Sequence, residues 1–89
     1  MAVHIHEYLI QVRFYEDSVD VNKPLYEMTK NYKGIVSILI DEFGIARASH
    51  AIIDRLTRKD FLFILNYCRT KGAIKFTYKH RNLEREINL

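Results

Sequence analysis

The 89-residue sequence contains no tryptophan, one cysteine, one proline and three glycines. The single cysteine, Cys68, excludes a disulfide bond within the chain, and its place on the apolar face of a predicted helix favours a buried thiol over a nucleophile. The scarcity of proline and glycine, together with 48% hydrophobic and 28% charged residues, is typical of a folded chain. We therefore expect one small domain over residues 1–89.

Long hydrophobic runs are also missing. The longest, at residues 35–40 and 61–65, are far shorter than the roughly 20 residues that span a membrane. The N-terminal stretch MAVHIHEYLIQ has neither the charged start nor the apolar centre of a signal peptide. These absences predict a cytoplasmic protein that makes no membrane contact.

The charge balance is modestly basic. The formal net charge is +3, which permits an acidic partner without requiring one. The many isoleucine, asparagine, lysine and tyrosine residues are typical of an AT-rich genome, as in viruses and mobile elements. Composition alone therefore does not identify the partner.

Alternating apolar and polar residues predict strands at 3–15, 35–41 and 45–52, the last two forming a hairpin. The alanines, the two isoleucines and the leucine at 46–56 also suit a helix, and that alternative would remove the hairpin. Two further alternating segments, at 73–79 and 83–89, predict a fourth strand and an optional C-terminal edge strand. The chain is therefore rich in strands.

Capping signals predict two helices. Pro24 suits the first turn of a short helix that Gly34 ends. Thr57, followed three residues later by Asp60, predicts the start of a second helix that ends at Gly72. The resulting strand-helix-strand-strand-helix-strand order is similar to the ferredoxin-like split βαβ fold. That resemblance implies an α+β domain in which an antiparallel sheet carries both helices on one face.

The segment KGAIKFTYKHR, residues 71–81, predicts which side of the sheet is basic. Alternation places Ile74, Phe76 and Tyr78 together, and burial of aromatic rings favours that side beneath the helices. The uncovered side then receives cations that could contact the phosphates of RNA or DNA with little sequence selectivity. The predicted nucleic-acid-binding residues are Arg13, Tyr15, Arg47, Lys75, Lys79 and Arg81.

The same segment is similar to the basic-glycine-aromatic signature of the RNA recognition motif at Lys71, Gly72 and Tyr78. It departs from that signature at Ala73 and Lys75, where the family needs rings that stack on bases. The similarity therefore does not extend to base recognition. A solvated polar face is the simpler interpretation of these lysines.

Several apolar residues fall outside the two-layer arrangement. An exposed apolar group of this size usually marks a contact, and in a small chain a homodimer is its most common use. A regulatory protein that binds a partner, such as a small viral protein acting on host machinery, would also use such a surface. The predicted protein-interface residues are Leu9, Ile35, Leu39, Leu62 and Phe63.

Catalytic and metal-binding patterns are weak. His4 and His6 form an H-x-H pair that would need a third ligand, for example His50, to hold a metal. Asp17 and Asp41, each in a group of acidic residues after a strand, could serve a metal-dependent nuclease, but such residues are also common in turns. No glycine-rich phosphate loop or nucleophile elbow is present.

From these patterns we expect a non-enzymatic interaction or regulatory protein without cofactor or metal, in the form of a homodimer. The first alternative is a nucleic-acid-binding protein that uses its basic sheet face. The second is a metal-dependent nuclease.

Overall fold

The computed structural model describes residues 1–7, 9–28, 32–52 and 56–89, with the side chains of 50–52 left out. Within these ranges the chain forms five strands, one α-helix and one 3₁₀ turn at Leu25–Glu27. The elements, in chain order, are β1 (Leu9–Phe14), β2 (Gly34–Ile40), β3 (Ile45–Ile52), α1 (Arg58–Thr70), β4 (Lys75–His80) and β5 (Leu83–Asn88).

The strands form one sheet in which their spatial order follows the chain, from β1 at one edge to β5 at the other. Neighbouring strands are antiparallel except β3 and β4, which are parallel. The parallel pair follows from α1, because a helical crossover returns the chain to the end of the sheet from which it started. One row of facing residues crosses the sheet as Leu9, Leu39, Arg47, Thr77 and Glu86.

The ferredoxin-like prediction is wrong. The predicted first helix is only a 3₁₀ turn, since Met28 already has an extended backbone with φ −75° and ψ 134°; residues 29–31 lie outside the described part of the chain. Leu25 and Tyr26 are exposed, so they give a helix no packing, and short helices without packing are marginal in water. Without that crossover β1 pairs directly with β2, and the sheet is mixed instead of antiparallel.

The second predicted helix is confirmed. Thr57 is the N-cap of α1, and its Oγ1 accepts a hydrogen bond from the backbone N–H of Asp60 at 3.2 Å. The strand assignment at 45–52 is confirmed against the helical alternative, and β5 confirms the optional edge strand. The first strand begins at Leu9 and not at residue 3.

The core lies between α1 and one side of the sheet, which we call the covered face. Ile38, Ala46 and Phe76 of the sheet and Cys68 of α1 are almost fully buried there. Phe61 of α1 packs edge-on against Phe76, with ring centroids 5.9 Å apart. The remaining buried members of the core are Val36, Ile40, Ile64, Leu65 and Ala73.

Candidate interaction face

The other side of the sheet carries no helix from the described part of the chain, and we call it the open face. Alternation along each strand determines its residues, because side chains on neighbouring positions point to opposite sides. Its residues on the five strands are Leu9, Gln11, Arg13, Ile35, Ser37, Leu39, Ile45, Arg47, Ser49, Lys75, Thr77, Lys79, Glu84, Glu86 and Asn88.

The apolar part of the open face lies on β1 and β2. Leu9 and Leu39 face each other across these strands, and they are 62% and 47% exposed. Directly opposite side chains on such strands have Cβ atoms about 4.5–5.5 Å apart, so the two leucines form one patch. Ile35, half-buried, lies further along β2. All three lie on the open face, but Ser37 separates Ile35 from Leu39, so the patch itself consists of Leu9 and Leu39.

The other two predicted interface residues lie elsewhere. Leu62 and Phe63 are exposed on α1, which packs against the covered face, so the sheet separates them from Leu9 and Leu39. Phe63 flanks a groove of about 250 Å³ between α1 and β1, together with Tyr67. The five residues therefore form two surfaces and not one.

The cations of the open face are largely engaged by neighbours. The guanidinium of Arg47 lies 3.7 Å from the carboxylate of Asp41, and the ammonium of Lys75 lies 3.7 Å from that of Glu86. Arg13 donates a hydrogen bond from Nε to Oε1 of Gln11 at 2.8 Å. Exposed ion pairs are worth at most about 1 kcal/mol, so these contacts lower the positive potential without locking the side chains.

Tyr15 and Arg81 lie outside the strands that form the open face. The ring of Tyr15, just after β1, packs edge-on against Tyr32 at a centroid distance of 6.4 Å. Tyr32 also receives the guanidinium of Arg13, 5.3 Å from its ring centroid. Arg81 occupies the turn between β4 and β5 with φ +52°. Of the six predicted nucleic-acid residues, the structure therefore collects Arg13, Arg47, Lys75 and Lys79 on one face.

An ion pair holds the start of β2 to the end of β1. Nζ of Lys33 lies 2.9 Å from Oε1 of Glu16, and the backbone N–H of Lys33 donates to the carbonyl of Phe14. The hydrogen bond to Glu16, reinforced by its charge, raises the pKa of Lys33. Glu16, which precedes Asp17 in the acidic group after β1, thus has a structural partner.

The residues considered for chemistry do not form a site in the described ranges, where no three His, Cys, Asp or Glu side chains come together. His4 and His6 precede β1 and belong to no strand, and the side chain of His50 lies outside the described residues. Asp41 supports the β2–β3 turn, because its Oδ1 accepts from the N–H groups of Phe43 and Ile45 at 2.9 and 3.0 Å.

Cys68 is fully buried in α1. Its burial raises the pKa of the thiol, which keeps it protonated and unreactive at neutral pH. The buried-thiol interpretation of Cys68 is confirmed.

Sequence reasoning missed one feature of this face. Thr77, on the open face by alternation, is nevertheless only 5% exposed. It borders a cleft that opens where β3 and β4 separate. That separation depends on the pairing of strands distant in sequence, and no local pattern indicates it.

Comparison of the chain with known protein families, with curated proteins and with solved structures yields no match. In the described ranges, α1 is too short and too polar to cross a membrane, and no other helix could do so.

Proposed function

We propose that this protein is a non-enzymatic interaction module that forms a homodimer through its open face. The observation that carries the proposal is the exposed pair Leu9 and Leu39 on the open face. Burial of one such side chain contributes about 1.5–3 kcal/mol. Covering this patch with a partner therefore contributes several kcal/mol to the free energy of binding.

The shape of the molecule supports a missing layer. It measures 41 × 40 × 20 Å, the thickness of one sheet and one helix, and its radius of gyration is 14.2 Å. A compact domain of this length has a radius of gyration of about 12 Å. The chain is therefore a flat slab, and a second slab on the open face would complete a thicker body around both sides of the sheet.

The paired leucines favour a second copy of the chain as that partner. Leu9 and Leu39 face each other on β1 and β2. A two-fold axis that runs between these two strands and parallel to them places Leu9 of one copy over Leu39 of the other. The apolar patches of the two copies then cover each other, as a self-complementary contact requires.

Such a dimer leaves the outer surface of α1 free. Leu62 and Phe63 are exposed there and available to a different protein. In this proposal the dimer is a cytoplasmic regulatory protein that contacts its target through α1.

The test compares two substitutions at equal exposure. Leu39 on the open face and Leu62 on α1 are each 47% exposed. Sedimentation velocity over a range of concentrations should show a dimer for the unmodified chain and for Leu62→Arg, and a monomer for Leu39→Arg. A monomeric unmodified chain, or loss of the dimer in Leu62→Arg alone, would contradict the proposal.

Nucleic-acid binding is a second candidate, favoured by the collection of Arg13, Arg47, Lys75 and Lys79 on one face. Fluorescence anisotropy with single-stranded RNA and duplex DNA at about 50 and 200 mM salt tests it, because phosphate binding weakens steeply over that range. Binding that falls with salt and is lost in Arg47→Glu would support this candidate. Absence of binding at the lower salt would refute it.

A further inference from the structure

The strands β3 and β4 separate soon after they meet. Their ladder covers three pairs and ends at Arg47 and Thr77, although β3 continues to Ile52 and β4 to His80. A cleft of about 1190 Å³ opens between them and reaches the covered face below. It lies at the carboxyl ends of two parallel strands, where open sheets with helical crossovers commonly bind small ligands.

The inner wall of this cleft is aromatic. Phe61, Phe76 and Tyr78 all line it, and they form a cluster with centroid distances of 5.9 Å (Phe61–Phe76), 5.3 Å (Phe61–Tyr78) and 6.1 Å (Phe76–Tyr78). Apolar and aromatic walls with a few polar groups are typical of small-molecule sites. A flat ring is the shape that such a wall accommodates.

The rim of the cleft is cationic. Arg47, Arg58 and Lys79 line it, against one carboxylate, that of Glu84. Among the described residues, Arg58 and Lys79 form no ion pair, whereas Arg47 has Asp41 at 3.7 Å. The net charge around the opening is therefore positive and favours an anion.

A hydroxyl group is available to the same ligand. Thr77 lines the cleft, and its side chain makes no hydrogen bond to the described residues. No buried side-chain oxygen or nitrogen in the described part of the chain lacks a partner, so this hydroxyl is open to the cleft. Thr57 and Arg58, at the start of α1, border the same space, where the helix dipole favours negative charge.

We propose that this cleft binds a small aromatic anion. The ring lies against Phe61 and Tyr78, and the anionic group accepts a hydrogen bond from the hydroxyl of Thr77 beside the cation of Lys79. Neither the apolar patch on β1 and β2 nor the dimer is needed for this site, so it stands or falls separately from the proposed function.

The test is a titration of the ¹⁵N-labelled protein with 2-naphthoate, followed by NMR. We expect saturable shifts of the amide signals of Arg58 to Phe61 and of Thr77 to His80. The neutral analogue 2-naphthalenemethanol and inorganic phosphate should each bind at least about tenfold more weakly, since each lacks one half of the recognised chemistry. Equal binding of the neutral analogue, or shifts elsewhere only, would overturn the proposal.

Matched variants connect the shifts to named groups. Thr77→Val keeps the shape and removes the hydroxyl, and Lys79→Gln removes the cation; each should weaken 2-naphthoate binding about three- to tenfold. Lys75→Gln, on the same strand and face but outside the cleft, should leave it unchanged. Unchanged affinity in both cleft variants would also overturn the proposal.

Discussion

The two faces of the sheet differ strongly in solvent exposure, although the strands carry apolar residues on both. Ile38 and Leu39 are neighbours on β2 with similar side chains, yet Ile38 is 0% and Leu39 47% exposed. The difference comes from α1, which covers one face only. A five-stranded sheet with apolar residues on both sides of β2, but a single described helix, has more apolar surface than it can bury alone. This excess is the basis on which we propose the open face as a contact surface.

The largest expected effect comes from removing a core side chain from the covered face. Phe76→Ala should lower the free energy of unfolding by about 3–5 kcal/mol, because Phe76 is 2% exposed and its removal leaves a cavity against Phe61. Urea denaturation measures this loss. The control is Phe43→Ala in the β2–β3 turn, where the ring is 71% exposed and the change should stay within about 0.5 kcal/mol. Similar losses in both variants would contradict the assignment of the core.

How much of this fold could be predicted depends on how local each signal is. Thr57 and Asp60 are three residues apart and form the cap that the sequence indicates. The Pro24–Gly34 segment carries equally local helix signals, but helices this short need packing, and the exposure of Leu25 and Tyr26 shows that the sheet does not supply it. Whether a segment packs is a property of the whole chain, so the spatial order of the strands and the parallel pair could not be predicted.

For the candidate site too, local features could be predicted and features that depend on strand pairing could not. Alternation along single strands correctly placed Arg13, Lys75 and Lys79 on the side opposite Phe76. The ion pairs of Lys75 with Glu86 and of Arg47 with Asp41 depend on strand register and turn geometry. Residue spacing alone does not reveal these ion pairs. They make the open face less positive than the basic composition suggests.

A smaller effect is expected from removing the N-cap of α1 without changing the core. Thr57→Ala should lower the free energy of unfolding by about 0.5–2 kcal/mol, because it leaves the N–H of Asp60 without its acceptor. The same substitution at the other end of α1, Thr70→Ala, should cost no more than about 0.5 kcal/mol, since Thr70 is exposed. Thermal or urea unfolding of both variants measures the difference. If Thr57→Ala proved as mild as Thr70→Ala, the cap would not hold the helix in place.

The smallest expected effect is a pH dependence of the free energy of unfolding, caused by Cys68 on the covered face. Burial raises the pKa of the Cys68 thiol above the value it has in the unfolded chain, so the unfolded chain releases this proton first as the pH rises. The stability that Cys68 contributes is therefore complete below about pH 8.5 and declines above it, by up to about 1.4 kcal/mol per pH unit until the folded-state pKa is reached.

The measurement compares the unmodified chain with Cys68→Ala from about pH 8 to pH 10. Lysines and tyrosines titrate in both proteins, so their contributions cancel in the difference between the two unfolding free energies. We expect this difference to narrow steadily as the pH rises from 9 to 10. A constant difference would mean that the thiol ionises equally in both states, and hence that α1 does not seal the covered face at Cys68.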